Sequence, residues 1–230
     1  MIRKIIGKIV ETILPPVQAE DAGKTTEDAP KGKVKTISLE ELLGGGMAPP
    51  PEPELRVIGL YSTVEDEKIA ELTQALLYLN EMNKLRDKEK EESKPVEFYI
   101  NTYGGSADDM FAMYDVMQQV MEDTEIHTIG VGKVMSAGTL LLAAGTKGKR
   151  KIGRNCRVMI HNVAAGNFGT LPNLANELEA IQQLQDDYIT AMVENTKFTR
   201  KKLEKLLNEK VNIYLSAEEA VKYGLADEIM

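Results

Sequence analysis

Ser136 and His161 are the residues of this sequence whose types could perform nucleophilic catalysis. Ser136 lies in the glycine-containing stretch 132–138, and the apolar run 139–145 follows it at once. A serine hydroxyl is a weak nucleophile unless a base lies within hydrogen-bond reach. Because the chain has only two histidines, His127 and His161, the candidate bases are few. The pattern therefore indicates an acyl-transfer or hydrolytic reaction.

Each of these residues also has an ordinary structural interpretation. Ser136 directly precedes a predicted helix that begins at Ala137, and a serine in that position commonly caps the helix with its hydroxyl. His161 ends a strand-like run, which suits a general base facing a cleft but also a hydrogen-bonded structural histidine. His127 lies inside an alternating strand, where a structural role is favoured. The sequence therefore predicts the base at His161 rather than at His127.

The turn that contains Gly104, Gly105 and Ser106 is a second candidate feature, because it joins a predicted strand to a predicted helix. Glycines at such a turn can point backbone N–H groups outward, and a helix N-terminus favours negative charge. The turn could therefore stabilise a developing oxyanion. The alternative is an ordinary turn in which Ser106 caps the helix with Asp109 as its partner. The turn lacks the lysine of a P-loop, so the chain itself is not expected to hydrolyse ATP.

The composition limits the class of protein. The 230 residues, 43% of them hydrophobic, are enough for one substantial core. The formal net charge of -8 disfavours nucleic acid as the main partner. The single cysteine, Cys156, excludes an internal disulfide, and the sequence has no Cys/His cluster typical of a metal site. We expect a cytoplasmic protein without a cofactor, and no apolar run is long enough to span a bilayer.

The N-terminal part of the chain differs in composition from the rest. Residues 1–14 place apolar side chains at helical spacing opposite Arg3, Lys4 and Lys8, which predicts a short basic amphipathic helix. Such a helix could contact an anionic membrane surface, dock in a partner's groove, pack on its own protein or be removed. Residues 15–54 are rich in Pro, Gly, Glu and Lys, which predicts a disordered linker or propeptide.

Residues 55–230 are predicted to form one α/β domain. Strand-like runs alternate with amphipathic helices, a pattern that implies parallel strand pairing with helices covering the sheet. The predicted strands are 56–60, 96–101, 125–131 and 157–161, with a shorter one near Lys151. The predicted helices are 67–85, 108–121, 137–144, 173–195, 200–208 and 217–223.

Several spaced motifs together resemble the proteolytic subunit of the Clp protease family. They are 99–101 with 104–106, 132–138, 141–150, 157–161, 215–220 and 223–227. The resemblance covers nearly all of residues 56–230. It implies the ClpP/crotonase-like fold, in which β-β-α units repeat in a superhelix. A handle helix protrudes from this fold and corresponds here to about residues 173–195. It implies a serine endopeptidase that cleaves unfolded polypeptides inside stacked heptameric rings, homomeric or heteromeric. A separate AAA+ unfoldase ATPase would feed the substrate.

Carried over to this sequence, the resemblance implies that Ser136 is the nucleophile and His161 the general base. It implies that the backbone N–H groups of Gly105 and Ala137 form the oxyanion hole. Only the N–H of Ala137 is needed, so this alanine, which replaces the family's usual methionine, is expected to alter the pocket more than the chemistry. The resemblance also implies that a peptide substrate pairs as an extra strand with two edges of the site. These edges include Gly104, Ser106, Ala164 and Gly166.

The third position of the implied triad departs from the family. Asn212 stands where the family has an aspartate. Asparagine can orient an imidazole, but it cannot stabilise the imidazolium with a charge. The departure supports an alternative in which the chain is a weakly active or non-catalytic ring subunit that acts as a scaffold beside a catalytic paralogue. A related membrane-associated peptidase is a further alternative, although such relatives use a serine–lysine pair, which His161 makes unnecessary.

Overall fold

The structure, a computed structural model, describes residues 54–230. The predicted amphipathic helix of residues 1–14 and nearly all of the predicted linker lie outside the described residues. The elements in chain order are β1 (Val57–Leu60), α1 (Asp66–Lys88), β2 (Val96–Thr102), α2 (Ala107–Val120), β3 (Ile126–Met135), α3 (Ala137–Ala143), β4 (Lys151–Ile152), β5 (Arg157–Ile160), α4 (Leu171–Asn195), α5 (Arg200–Glu209), β6 (Ile213–Leu215), α6 (Ala217–Tyr223) and β7 (Glu228–Ile229). From residue 54 onward, no helix has the length and apolarity to cross a membrane.

The strands form one seven-stranded sheet that is mostly parallel. β1, β2, β3, β4 and β7 lie side by side in that order, and each neighbouring pair is parallel. β5 pairs in parallel with the last part of β3 and antiparallel with β6. The predicted α/β fold with a parallel sheet is therefore confirmed. The short strands β6 and β7 are additions that the sequence pattern did not predict.

β3 is longer than predicted and changes partners along its length. The prediction ended this strand at 131 because Gly132 suggested a turn, and that boundary was wrong. The strand continues to Met135, with Gly132 at φ +65° and a shift of register against β2 at the same place. A glycine inside a strand often marks such a bulge. Beyond the bulge β3 pairs with β5, which brings Ser136 close to the strand that precedes His161.

The core lies between the sheet and the helices, and α3 is its most deeply buried helix. All seven residues of α3 are buried, and Leu140, Leu141 and Leu142 are fully inaccessible. Fully burying a leucine side chain stabilises a fold by about 1.5–3 kcal/mol. Because a close-packed core resists displacement, the helix that follows Ser136 is held in a fixed position.

α4 projects beyond the core over its first turns. It begins at Leu171, two residues before the predicted start, with a proline in its first turn. Every residue from 171 to 180 is exposed, and the first buried residue of the helix is Tyr188. This pattern agrees with the handle helix that the family resemblance implies.

Arg150 joins the ends of three segments of the fold. Its Nε and Nη2 donate to Asp227 at 2.9 and 2.6 Å, and its Nη1 donates to the carbonyls of Ala143 and Asn195 at 2.9 and 2.6 Å. The Arg150 side chain is nearly inaccessible. The ends of α3 and α4 are thereby tied to the C-terminal segment. The hydrogen bond from the Arg150 side chain lowers the pKa of the Asp227 carboxyl. The charge of Arg150 and hydrogen bonds from backbone N–H groups also lower this pKa, whereas burial raises it.

Candidate active site

Ser136 lies at the junction between β3 and α3 with an unusual backbone conformation. Its φ of 53° and ψ of -124° fall in a region that residues other than glycine rarely occupy. Its N–H donates to the Met159 carbonyl at 2.8 Å, and its own carbonyl accepts from the Thr139 N–H at 2.9 Å. A strained strand-to-helix turn of this kind exposes the hydroxyl of the nucleophile in other hydrolases.

The Ser136 and His161 side chains are in direct contact. Ser136 Oγ and His161 Nε2 lie 2.7 Å apart, within the range for proton transfer to a general base. The Ser136 side chain makes no capping hydrogen bond to α3, so the ordinary interpretation of this serine as a side-chain cap is wrong. For Nε2 to accept the hydroxyl proton, the neutral imidazole must carry its own proton on Nδ1. The arrangement can therefore activate the hydroxyl.

The Gly104–Gly105 turn lies against both Ser136 and Val64. A Cβ atom on Gly104, whose φ is +102°, would lie 2.5 Å from Ser136 Cβ, and one on Gly105 would lie 2.1 Å from the Val64 oxygen. Val64 N–H donates to the Gly104 carbonyl at 2.9 Å, and Ser106 N–H donates to the Val64 carbonyl at 2.8 Å. Backbone groups of successive residues alternate between the two edges of an extended segment. The N–H and C=O of Gly105 therefore face the opposite, unpaired edge.

Two backbone N–H groups border the cleft beside Ser136. Ala137 is the first residue of α3, where an N–H has no partner within its own helix. Gly105 presents its N–H at the unpaired edge of the turn. Both residues line a cavity of about 650 Å³ together with Ser136 and His161. Such donors can stabilise an oxyanion when they converge on it in a site with little water.

The predicted substrate-binding residues lie in different parts of this site. Ser106, Ala164 and Gly166 line the cavity, whereas Gly104 packs behind Ser136. The Ser106 hydroxyl accepts from the Asp109 N–H at 3.2 Å, as the ordinary capping interpretation of that side chain predicts. The segment after His161 has additional support that the sequence did not reveal. There Val163 N–H donates to Gln185 Oε1 of α4 at 2.6 Å.

Asn212 makes no hydrogen bond to Ser136 or His161 and does not line their cavity. It is an exposed residue that precedes β6, in the extension of the strand pair formed with β5. Across residues 54–230, His161 makes no side-chain hydrogen bond other than that to Ser136. The structure therefore brings two of the three implied triad side chains together and leaves the third unbonded.

Two further residues whose types can take part in catalysis, His127 and Cys156, are unconnected to this site. His127 lies at the opposite end of β3, where its Nε2 is 2.8 Å from a Glu125 carboxylate oxygen. This contact is the main cause that lowers the pKa of Glu125. Cys156 is buried, and burial raises the pKa of its thiol to about 11. Within the described part of the chain, no group of three His, Cys, Asp or Glu side chains could hold a metal ion.

The fold and the site together define an α/β protein that presents a serine at a strand–helix turn beside a histidine, the pair of side chains that serine hydrolases use. The family description that matches the sequence is Clp protease, and the match covers residues 53–230. The chain belongs to the Clp protease family, which is a family of peptidases.

Two curated relatives agree with this assignment. The ATP-dependent Clp protease proteolytic subunit of Deinococcus radiodurans is 34% identical over 175 residues, which cover 76% of this chain and 80% of the relative. The ATP-dependent Clp protease proteolytic subunit 1 of Prochlorococcus marinus subsp. pastoris is 36% identical over 176 residues, which cover 76% of this chain and 83% of the relative. The resemblance that the spaced motifs indicated is therefore confirmed at the level of the family.

Proposed function

We propose that this chain is a serine endopeptidase subunit, with Ser136 as the nucleophile and His161 as the general base. The observation that carries the proposal is the 2.7 Å separation of Ser136 Oγ and His161 Nε2. It is supported by the strained backbone of Ser136, since strain of this kind persists mainly where function requires it. Asn212, without a hydrogen bond to the imidazole, contributes at most orientation.

The reaction on these residues is an acyl transfer in two stages. Ser136 Oγ attacks the carbonyl carbon of the scissile peptide while His161 Nε2 accepts the hydroxyl proton. The C–N bond then breaks, the protonated His161 gives that proton to the leaving amine, and an ester on Ser136 remains. Water attacks the ester, again with His161 as base, and releases the carboxylic acid and the free hydroxyl.

The backbone of the site supplies the remaining functions of this mechanism. The N–H groups of Gly105 and Ala137 stabilise the oxyanion of the tetrahedral intermediates. The unpaired edge at Gly105 accepts the substrate as an additional strand, and the segment with Ala164 and Gly166 lies on the other side of it. Because main-chain pairing demands an extended chain, the substrates are unfolded polypeptides.

We further infer that the subunit acts within stacked heptameric rings and receives its substrates from a separate AAA+ unfoldase ATPase, in a cytoplasmic setting. The names of the two relatives describe proteolytic subunits of an ATP-dependent protease. This chain shows no P-loop motif, which fits a division of labour between an ATPase and a peptidase. The exposed leucines of α4 at 171, 174 and 178 provide an apolar face for contact between rings.

Covalent labelling tests the assignment of Ser136 directly. A fluorophosphonate probe should label the purified, assembled full chain at Ser136, identified by mass spectrometry of its peptides. Ser136→Ala should abolish both labelling and peptide hydrolysis. Ser93→Ala, a matched change in an exposed hydroxyl that contacts only the Asp123 carbonyl, should leave both unchanged. Absence of labelling in an assembled chain would refute the proposal.

The unbonded Asn212 favours a second candidate function, that of a scaffold subunit beside a catalytic paralogue. In that case Ser136→Ala would not reduce the activity of mixed rings, because the paralogue would perform the hydrolysis. A loss of activity in proportion to the share of Ser136→Ala subunits would instead support catalysis by this chain.

A further inference from the structure

The Thr139 hydroxyl connects the handle helix α4 to the backbone of Ser136. Thr139 Oγ1 lies 2.6 Å from the Ser136 carbonyl oxygen and 2.9 Å from Tyr188 Oη. Thr139 is fully inaccessible, and Tyr188 is only 4% exposed. Since Tyr188 is the first buried residue of α4, its ring enters the core where the exposed part of the handle ends.

The donors in this chain of hydrogen bonds can be assigned by counting protons. The Ser136 carbonyl oxygen can only accept, so the single hydroxyl proton of Thr139 is donated to it. Tyr188 must then donate its own proton to Thr139 Oγ1. Burial raises the pKa of Tyr188 to about 12, so the phenol keeps this proton in neutral solution. The hydrogen bonds therefore run in one direction, from Tyr188 through Thr139 to Ser136.

The Ser136 carbonyl belongs to the same peptide group as the Ala137 N–H. A trans peptide is planar, so its C=O and N–H directions are fixed relative to each other. Thr139 holds this carbonyl twice, through its N–H at 2.9 Å and its hydroxyl at 2.6 Å. Because the φ of Ser136 lies in a disfavoured region, the peptide needs such restraint to keep its orientation.

We propose that Tyr188 is a positioning residue, which acts through Thr139 to hold the Ser136–Ala137 peptide so that the Ala137 N–H points to the oxyanion. The inference rests on the proposed function, because it refines the oxyanion site of that mechanism. Hydrogen bonds in a chain also polarise one another, which makes the N–H of the same peptide a stronger donor. The handle helix thus contributes a side chain to the catalytic geometry from a position in the lining of the same cavity.

Removal of one hydroxyl tests this inference. Tyr188→Phe in the assembled full chain should lower kcat about tenfold, equivalent to about 1.4 kcal/mol of transition-state stabilisation. KM and the pH dependence of the rate should stay unchanged, because neither the peptide-binding edge nor His161 is altered. Tyr114→Phe is the matched control, since the Tyr114 hydroxyl also contacts α4, through Asn195 Nδ2 at 3.0 Å, but has no path to Ser136. That control should retain the kcat of the unaltered chain.

Changes at Thr139 distinguish positioning from general packing. Thr139→Val should lower kcat at least as much as Tyr188→Phe, and the double variant should be no slower than Thr139→Val alone, because the two residues act as one unit. Thr139→Ser keeps the hydroxyl and should retain kcat within about threefold. Equal kcat for Tyr188→Phe and the unaltered chain, or losses that multiply in the double variant, would overturn the inference.

Crystal structures of the unaltered chain and of Tyr188→Phe make the inference testable apart from activity. A rotated Ser136–Ala137 peptide in the variant supports the positioning role, whereas an unchanged peptide overturns it. An unaltered chain that neither hydrolyses peptides nor reacts with a fluorophosphonate would refute the proposed function. The orientation of the peptide in the two crystal structures would still decide the role of Tyr188.

Discussion

Asn212 and His161 are the first residues beyond the last pair of β5 and β6, and no hydrogen bond joins their side chains. The last paired residues of these antiparallel strands are Ile160 and Ile213, so His161 and Asn212 would face each other if the pairing continued by one residue. Side chains of opposite residues in such a pair have Cβ atoms about 4.5–5.5 Å apart. Position 212 is therefore where a third polar group beside the imidazole would stand in that register, and in this chain its side chain is a neutral amide.

Asn212→Asp should raise kcat by at least about tenfold. A carboxylate opposite His161 can accept a hydrogen bond from Nδ1 and stabilise the imidazolium that forms during the reaction; in trypsin-like enzymes the reverse change costs about 10⁴-fold. A carboxylate also favours the charged imidazole, so the acid limb of the rate profile of the variant moves to higher pH. Steady-state peptide hydrolysis from pH 5 to 9 measures both effects.

Asn212→Ala provides the control for that prediction. Because the Asn212 side chain is exposed and unbonded to His161, its removal should change kcat by less than about twofold. A large loss in Asn212→Ala would show that the asparagine already orients the imidazole. An unchanged rate in Asn212→Asp would show that the missing charge does not limit the reaction.

Gly104→Ala should impair both catalysis and stability. The new Cβ would lie 2.5 Å from Ser136 Cβ at a φ of +102°, so either the turn or the nucleophile must move. A displacement of about 1 Å at a reacting group can cost about 100-fold in rate, and the strained backbone costs about 1–3 kcal/mol. Gly166→Ala is the matched control for thermal stability, because a Cβ there meets nothing within 4 Å. Equal melting temperatures for the two variants would contradict this prediction.

Cys156 should not react with thiol reagents in the folded protein. Its side chain is buried, and burial raises the pKa of the thiol to about 11, so little thiolate exists at neutral pH. Iodoacetamide at pH 8 should label it only after denaturation, and peptidase activity should survive the treatment of the folded chain. Labelling of the folded chain with loss of activity would contradict the prediction and assign a role to the cysteine.

The pair of Ser136 and His161 could be predicted from the sequence because Ser136 directly precedes a recognisable helix and His161 ends a recognisable strand. The ordinary alternative for Ser136, a helix cap, could not be excluded from the sequence, since capping and catalysis favour the same position. The structure excludes it because the Ser136 side chain makes no capping hydrogen bond, whereas its hydrogen bond to His161 depends on the pairing of β3 with β5.

Other parts of the structure depend on contacts that leave little trace in the sequence. The strand β3 passes through Gly132, a residue that normally favours a turn. The strand continues because the residues before and after Gly132 pair with neighbouring strands, and this pairing outweighs the local preference of the glycine. β7 has two residues, too few for any periodic signal. The roles of Tyr188 and Gln185 arise where α4 meets the core, and neither belongs to a motif. Their contacts could be identified only once the helix was placed.

Asp227→Asn should lower the melting temperature at neutral pH by about 4–8 °C, which corresponds to about 2 kcal/mol for a domain of this size. The change weakens the acceptor of four hydrogen bonds, from Arg150 Nε, Nη2 and N–H and from Gly148 N–H, and leaves the buried guanidinium without its counter-charge. Glu228→Gln is the matched control. Its carboxylate lies 3.8 Å from Lys151 Nζ and is largely exposed, so it should change the melting temperature by less than 2 °C.

The effect of Asp227→Asn should also depend on pH in a defined direction. The folded-state pKa of Asp227 lies below its usual value, chiefly because of the Arg150 hydrogen bond, so the carboxylate stabilises the fold fully above the unfolded pKa of about 3.9. As the pH falls through the lower, folded pKa, the carboxyl becomes neutral and this contribution is lost. The gap between the melting curves of the unaltered chain and Asp227→Asn should therefore be constant from pH 5 to 8 and narrow below pH 4. A gap that widens on acidification would contradict this direction, and the absence of a gap at every pH would mean that Arg150 stabilises the fold through its bonds to Ala143 and Asn195 rather than through Asp227.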